Sequence, residues 1–141
     1  MRLARQGFTL LDMVVVMLLV AVISSMAVRE YRANVRQAER AAVAALLQEN
    51  AVVLERFYSE RGSYKLSATQ WPALPHVDYP ASAQPSYTLA FGSTPRNTDP
   101  DYYVLRATAT TPEEGYIELL STGIMRRCVP DGGAWQCRVW P

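Results

Sequence analysis

The chain begins with a short basic head, MRLARQ, and a long apolar run follows from Phe8. Within residues 8–28 only Thr9, Asp12, Ser24 and Ser25 are polar. A helix of this length spans the roughly 30 Å hydrocarbon core of a bilayer. The basic head favours a cytoplasmic N-terminus with the rest of the chain exported. The pattern therefore predicts a membrane-spanning helix over residues 8–28.

A helical pattern continues beyond the apolar run without a break. Residues 29–61 contain neither Pro nor Gly and are rich in Ala, Arg, Glu, Gln and Leu, which favour helices. Apolar residues recur there mostly at three- and four-residue steps and form a broad face suited to packing on a sheet. Gly62 then provides a stop signal. We expect one continuous helix from residue 8 to about residue 61.

The same N-terminal pattern also fits a cleaved secretory signal. Ser25 and Ala27 place small residues at the two positions that a signal peptidase inspects, so that the mature chain would begin at Val28. The unbroken helical continuation argues against this interpretation, because a disposable signal does not need it. An exported soluble domain remains the alternative.

Prolines and then β-prone segments occupy the second half of the chain. Four X-Pro steps within residues 63–86 exclude a regular helix or central strand through most of that segment. The segments that follow are rich in Tyr, Val, Leu, Ile and Thr and are separated by turn signals. They predict an α+β fold in which an antiparallel meander of about four strands covers the long helix. The predicted strands are Tyr87–Phe91, Tyr102–Thr108, Tyr116–Leu120 and Ile124–Cys128.

The length, net charge and cysteine content of the chain limit its domain content and its possible ligands. The 141 residues fit one membrane segment and one small domain of about 100 residues. With 14 Lys+Arg against 13 Asp+Glu, the chain has no global charge bias toward nucleic acid. In an exported chain, Cys128 and Cys137 suit one disulfide that closes a small loop. Two free thiols or half of a metal site are the alternatives, although His76, the only histidine, is distant and no CxxC exists.

Residue patterns typical of catalysis are missing from the sequence. It contains no Ser/His/Asp set, no paired carboxylates at suitable spacing and no glycine loop for phosphate. His76 follows Pro75 and fits a loop histidine without a catalytic role. We therefore expect a protein that is not an enzyme and holds no cofactor or metal.

Two stretches resemble a known family. Residues 7–12, GFTLLD, together with the basic head and the apolar run, resemble the class III signal of type IV pilins. Residues 55–64, ERFYSERGSY, resemble the end of the long helix in PilE-type minor pilins. The resemblance implies the type IV pilin fold, a long N-terminal helix packed on an antiparallel sheet. It implies three segments: a leader (1–7), a transmembrane and filament-core helix (8–28) and a periplasmic head (29–141). The head would consist of the rest of the helix to about residue 61, a loop (62–86), the sheet (87–128) and a disulfide loop (128–137).

The resemblance also assigns roles to individual residues. Prepilin peptidase would cut between Gly7 and Phe8 and methylate the new amino group of Phe8. Asp12 stands where the family usually has Glu, whose carboxylate pairs with the N-terminal ammonium of a neighbouring subunit. Because unpaired charges inside a bundle of apolar helices are unfavourable, this pair would set the axial register. Cys128 and Cys137 resemble the C-terminal disulfide of pilins.

The resemblance implies a structural minor pilin that contributes to pilus initiation or tip assembly, and so to adhesion, twitching motility or DNA uptake. Its partners would be other pilins, prepilin peptidase and the inner-membrane assembly platform. It would lie first in the bacterial inner membrane with its head in the periplasm, and then in the extracellular filament. A pseudopilin of a type II secretion system is an alternative.

Basic and aromatic residues alternate near the C-terminus. Arg126, Arg127 and Arg138 bracket the two cysteines, with Trp135 and Trp140 nearby. Such a mixture can hold phosphates and stack bases, and some minor pilins bind DNA through C-terminal basic residues. A DNA-binding minor pilin is therefore a further alternative. The simpler interpretation of these residues is that they form a solvated edge of the domain or a contact with another subunit.

Overall fold

The computed structural model describes residues 9–93 and 99–140. Within these residues one helix, α1, is followed by six strands. The chain forms two compact units, residues 1–40 and 41–141, and the boundary between them falls inside α1. The helix α1 runs over Leu10–Arg61, 52 residues, without interruption. The strands are β1 (Asp78–Tyr79), β2 (Tyr87–Phe91), β3 (Val104–Ala109), β4 (Tyr116–Leu120), β5 (Met125–Asp131) and β6 (Ala134–Val139), with a 3₁₀ turn at Pro112–Glu114 before β4.

The described part of the first unit is the apolar first part of α1, up to Val28, and a charged continuation over residues 29–40. Residues 9–38 are all exposed, including large side chains such as Leu10, Met17 and Ile23. By length and composition this helix can cross a membrane. An apolar surface on all sides of a helix is typical of a segment that lies in lipid or in a bundle of similar helices.

The second unit contains the buried core. Its six strands form one antiparallel meander in the order β1-β2-β3-β4-β5-β6. The helix α1 contributes Val43, Leu47 and Leu54 to the cluster, and alternate residues of β2 to β5 face them. The main sheet residues in this cluster are Leu89, Leu105, Ala107, Ile117, Leu119 and Met125.

The prediction of about four strands is wrong, because the sheet has six. Strand β1 was not predicted, since it is two residues long and forms by pairing with β2. Strand β6 was not predicted either, and it lies in the segment expected to be a disulfide loop. Gly132 and Gly133 have φ of +58° and +90° and form the two-residue turn between β5 and β6. A hairpin turn with positive φ at both central residues favours glycine, so this dipeptide was the missed signal.

The helix ends where the sequence predicts. Gly62 has φ of +70°, and its N–H donates to the Tyr58 carbonyl at 2.7 Å. This left-handed residue is a common helix terminator. Just beyond it, the Tyr64 hydroxyl donates to Glu55 Oε1 at 2.9 Å, and the Tyr103 hydroxyl donates to the same oxygen at 3.3 Å. Burial and this carboxylate raise the pKa of Tyr64 to about 12 and also raise the pKa of Tyr103.

A buried asparagine of α1 holds the proline-rich loop. The Asn50 side chain is fully buried, and its Nδ2 donates to the His76 carbonyl at 2.8 Å. The His76 N–H donates to Asn50 Oδ1 at 3.1 Å, so one side-chain amide satisfies both backbone groups of a loop residue. His76 Nε2 also lies 2.9 Å from Glu49 Oε2. The lone histidine thus has a structural position in the loop.

Replacing Asn50 by Ala should lower the free energy of unfolding by about 2 kcal/mol, because two backbone groups lose their partner and a cavity forms. The higher helix propensity of Ala offsets only part of this loss. Urea unfolding of the detergent-solubilised chain, followed by tryptophan fluorescence, measures the change, since all three Trp lie in the second unit. Gln48→Ala removes a similar amide from an exposed helix position and serves as the control. Equal unfolding midpoints for the two variants would contradict the role of Asn50.

Candidate functional site

The first turn of α1 is closed by Thr9 and Asp12. Asp12 Oδ2 accepts hydrogen bonds from the Thr9 N–H at 3.0 Å and from the Thr9 hydroxyl at 2.8 Å. The Asp12 N–H donates to Thr9 Oγ1 at 3.3 Å. This reciprocal arrangement is a capping box, and it satisfies donors that the helix terminus leaves open. This role was not predicted, although the Thr-x-x-Asp spacing at the start of a helix signals it.

The other residues predicted to act at the N-terminus, Gly7 and Phe8, lie outside the described residues, as does the whole predicted leader. Peptidase cleavage after Gly7 and methylation of Phe8 therefore remain predictions. The pairing of Asp12 with the ammonium group of another subunit also remains a prediction. In the single chain, the Asp12 carboxylate is exposed and occupied by the Thr9 cap.

Arg126 lies on the sheet face that points away from the core. It is directly opposite Glu118 of β4, which is in turn directly opposite Arg106 of β3. Arg106 Nε and Nη2 lie 2.9 and 2.6 Å from Glu118 Oε1, and Arg126 Nε and Nη2 lie 2.9 and 2.8 Å from Glu118 Oε2. The Glu118 side chain is only 1% exposed. Two guanidinium groups thus hold one buried carboxylate, and Arg126 is engaged within the fold.

Arg127 and Arg138 lie on the opposite face from Arg126. They are directly opposite each other in the β5–β6 pairing, and Arg127 shares its face with the core residue Met125. Together they line a groove of about 430 Å³ at this end of the sheet, which we call the hairpin groove. The residues that line it are Arg127, Val129, Gln136, Arg138, Val139 and Trp140.

The disulfide holds this arginine pair in register. Cys128 and Cys137 are bonded and stand at directly opposite positions of β5 and β6, with their Cα atoms 4.0 Å apart. They are adjacent in sequence to Arg127 and Arg138 respectively. The predicted disulfide is present, and it joins the two strands of a hairpin. It therefore fixes the strands that carry both arginines.

Charge in the hairpin groove is unbalanced. Like charges at directly opposite strand positions repel each other. Arg127 Nη2 lies 3.4 Å from Glu114 Oε2, whereas no carboxylate of the described residues lies within ion-pair distance of Arg138. Gln136 Nε2 donates to Asp131 Oδ2. The groove therefore presents two guanidinium groups with one paired carboxylate, next to the half-buried Trp140, and such a site suits an anion.

A long N-terminal helix with an exposed apolar half, whose second half packs on an antiparallel sheet with a C-terminal disulfide, defines a type IV pilin. Residues 30–116 match the model of the family described as "Type IV minor pilin ComP, DNA uptake sequence receptor", and the chain belongs to this family. No match was found among the curated proteins. The match ends at residue 116, so both arginines of the hairpin groove lie beyond it.

Proposed function

We propose that this minor pilin binds DNA in the hairpin groove during DNA uptake, while its apolar helix holds it in a type IV pilus. The observation that carries the proposal is the pair of arginines at directly opposite strand positions, of which only Arg127 has a carboxylate partner among the described residues. The family description, a receptor for DNA uptake sequences, supports the same ligand. From the sequence alone, DNA binding is an alternative, and a solvated edge or a subunit contact is the simpler interpretation of the three arginines.

The chemistry of the groove suits a nucleic acid backbone. Guanidinium groups donate paired hydrogen bonds that match phosphate oxygens, and their planes stack on aromatic rings. Trp140 and Gln136 line the same groove as the two arginines, and Gln136 lies on the same face as Arg138, two residues away. Contacts of this kind position a protein on DNA through its phosphates, and base contacts add sequence preference.

The N-terminal segment supports the assembly role. Residues 1–7 serve as the leader, residues 8–28 as the membrane and filament-core helix, and residues 29–141 as the head. Prepilin peptidase cleaves after Gly7 and methylates Phe8, and the assembly platform then transfers the helix from the inner membrane to the filament. The subunit packs there against other pilins, and the same helix suits incorporation at pilus initiation or at the tip. Membership of a type IV minor pilin family favours a pilus over a type II secretion pseudopilin.

DNA binding by the purified full chain in detergent tests the ligand. Arg138→Ala should weaken binding of a fluorescent, mixed-sequence duplex pool about tenfold, because one charge-assisted phosphate contact is lost. The slope of log K against log salt should become shallower by about 0.9 for that contact. Arg56→Ala removes an equally basic but remote and exposed side chain of α1 and should change neither quantity. Salt-independent binding, or equal binding by the wild type and Arg138→Ala, would refute the proposal.

A further inference from the structure

The two arginines of the hairpin groove differ in their surroundings. Arg127 is paired with Glu114, whereas Arg138 has no such partner among the described residues. We propose that Glu114 competes with DNA phosphate for Arg127 and thereby limits the affinity of the groove. This inference rests on the function proposed above and names the residue that regulates the same site.

The backbone fixes Glu114 beside Arg127. Glu114 is the last residue of the 3₁₀ turn, which begins at Pro112 and ends before Gly115. Gly115 has φ of +71°, and a Cβ atom at this position would collide with the backbone carbonyl of Cys128. The turn therefore lies directly against β5, one residue from Arg127. Glycine permits both this close approach and the left-handed backbone.

The Glu114–Arg127 pair is partly shielded from water. The two side chains are 21% and 30% exposed. Charges in such surroundings interact more strongly than charges on an open surface. A phosphate that approaches Arg127 must displace the carboxylate or accept its repulsion. Arg138 makes the first phosphate contact without this competition.

The variant Glu114→Gln separates charge from shape, because Gln keeps the side-chain length and one carbonyl oxygen. We expect it to bind the mixed-sequence duplex pool about threefold to fivefold more tightly than the wild-type full chain. The salt slope should steepen by about 0.9, as Arg127 gains a full phosphate contact. A purely structural role of Glu114 would leave that slope unchanged.

A double-mutant cycle assigns the effect to Arg127. Arg127→Ala should weaken binding only slightly in the wild-type background, but it should remove the whole gain in the Glu114→Gln background. Arg138→Ala should cause the same fold loss in both backgrounds, because no carboxylate competes for it. Such a coupling between two positions measures their interaction directly.

Glu113→Gln is the matched control. Glu113 is the preceding residue and is exposed, so the variant removes the same charge without touching Arg127. It should leave affinity within about twofold of the wild type. Equal gains for the Glu113 and Glu114 variants would overturn the inference, since the effect would then come from net charge.

The outcomes also separate this inference from the proposed function. If Arg138→Ala weakens binding but Glu114→Gln binds no more tightly than the wild type, the competition is refuted and the DNA site stands. If no variant binds DNA in a salt-dependent manner, the proposed function itself fails and the inference fails with it. Urea unfolding of each variant checks that a change in affinity does not follow from a change in stability.

Discussion

Replacing Glu118 by Ala is expected to lower the free energy of unfolding of the second unit by about 3 kcal/mol. The carboxylate is almost completely buried and accepts three hydrogen bonds from two arginines on neighbouring strands, and Arg126 Nη2 also lies 2.8 Å from its Oε2. Its removal leaves Arg106 and Arg126 facing each other across an empty position. Both are partly exposed, so water compensates for some of the lost interaction.

Urea unfolding of the full chain, followed by tryptophan fluorescence, measures this change. Arg126→Ala should destabilise less than Glu118→Ala, because Arg126 is 38% exposed and Arg106 still neutralises the carboxylate. Glu113→Ala removes an exposed carboxylate near the start of β4 and is the control, with an expected change below about 0.5 kcal/mol. A Glu118→Ala variant as stable as the Glu113→Ala variant would show that the three-residue ion cluster adds no net stability.

Loss of the Asp12 charge should reduce incorporation of the subunit into pili more than about tenfold, because a neighbouring ammonium would then be buried without a partner. The capping box offers a second explanation for the same residue, and two substitutions distinguish them. Asp12→Asn keeps an oxygen that can accept the hydrogen bonds of Thr9 but carries no charge. Asp12→Glu keeps both the charge and a side chain favoured at this position of a capping box.

Immunoblots of sheared filaments against total cell protein give the incorporated fraction. We expect Asp12→Asn to fail as completely as Asp12→Ala, and Asp12→Glu to incorporate at nearly the wild-type level. If the Asn variant incorporates normally while the Ala variant does not, the residue acts as a helix cap. The assembly role of the charge would then be wrong.

Local sequence signals were sufficient for much of the fold. The end of α1 follows from Gly62, and the bounds of β2 and β4 match the predicted segments 87–91 and 116–120. The start of α1 lies at Leu10 within the described residues, close to the predicted position. These elements are set by periodicity and by single turn residues, which a sequence displays directly. By contrast, β1 depends on its partner β2, and no pattern within two residues could indicate it.

The candidate site was harder to predict, because it depends on strand register. Arg126 and Arg127 are adjacent, and adjacent residues of a strand point to opposite faces. Once residues 125–131 are recognised as a strand, this split follows from the sequence alone. The alignment of Arg138 with Arg127 requires the length of the Gly132–Gly133 turn. Predicting that two arginines contact Glu118 would require the pairing registers of β3, β4 and β5, and no local sequence signal reveals those registers.

The outer strand of the hairpin depends on its covalent link. Every residue of β6 is exposed, so side-chain burial contributes little to holding this strand in place. The backbone ladder to β5 and the Cys128–Cys137 bond keep Arg138 level with Arg127, and Trp135 also packs on the Tyr116 ring. Reduction of this bond removes the covalent cross-link between β6 and β5, whereas the core cluster of the described residues contains no residue of β6. An oxidising environment therefore adds a covalent restraint to the alignment of the two guanidinium groups.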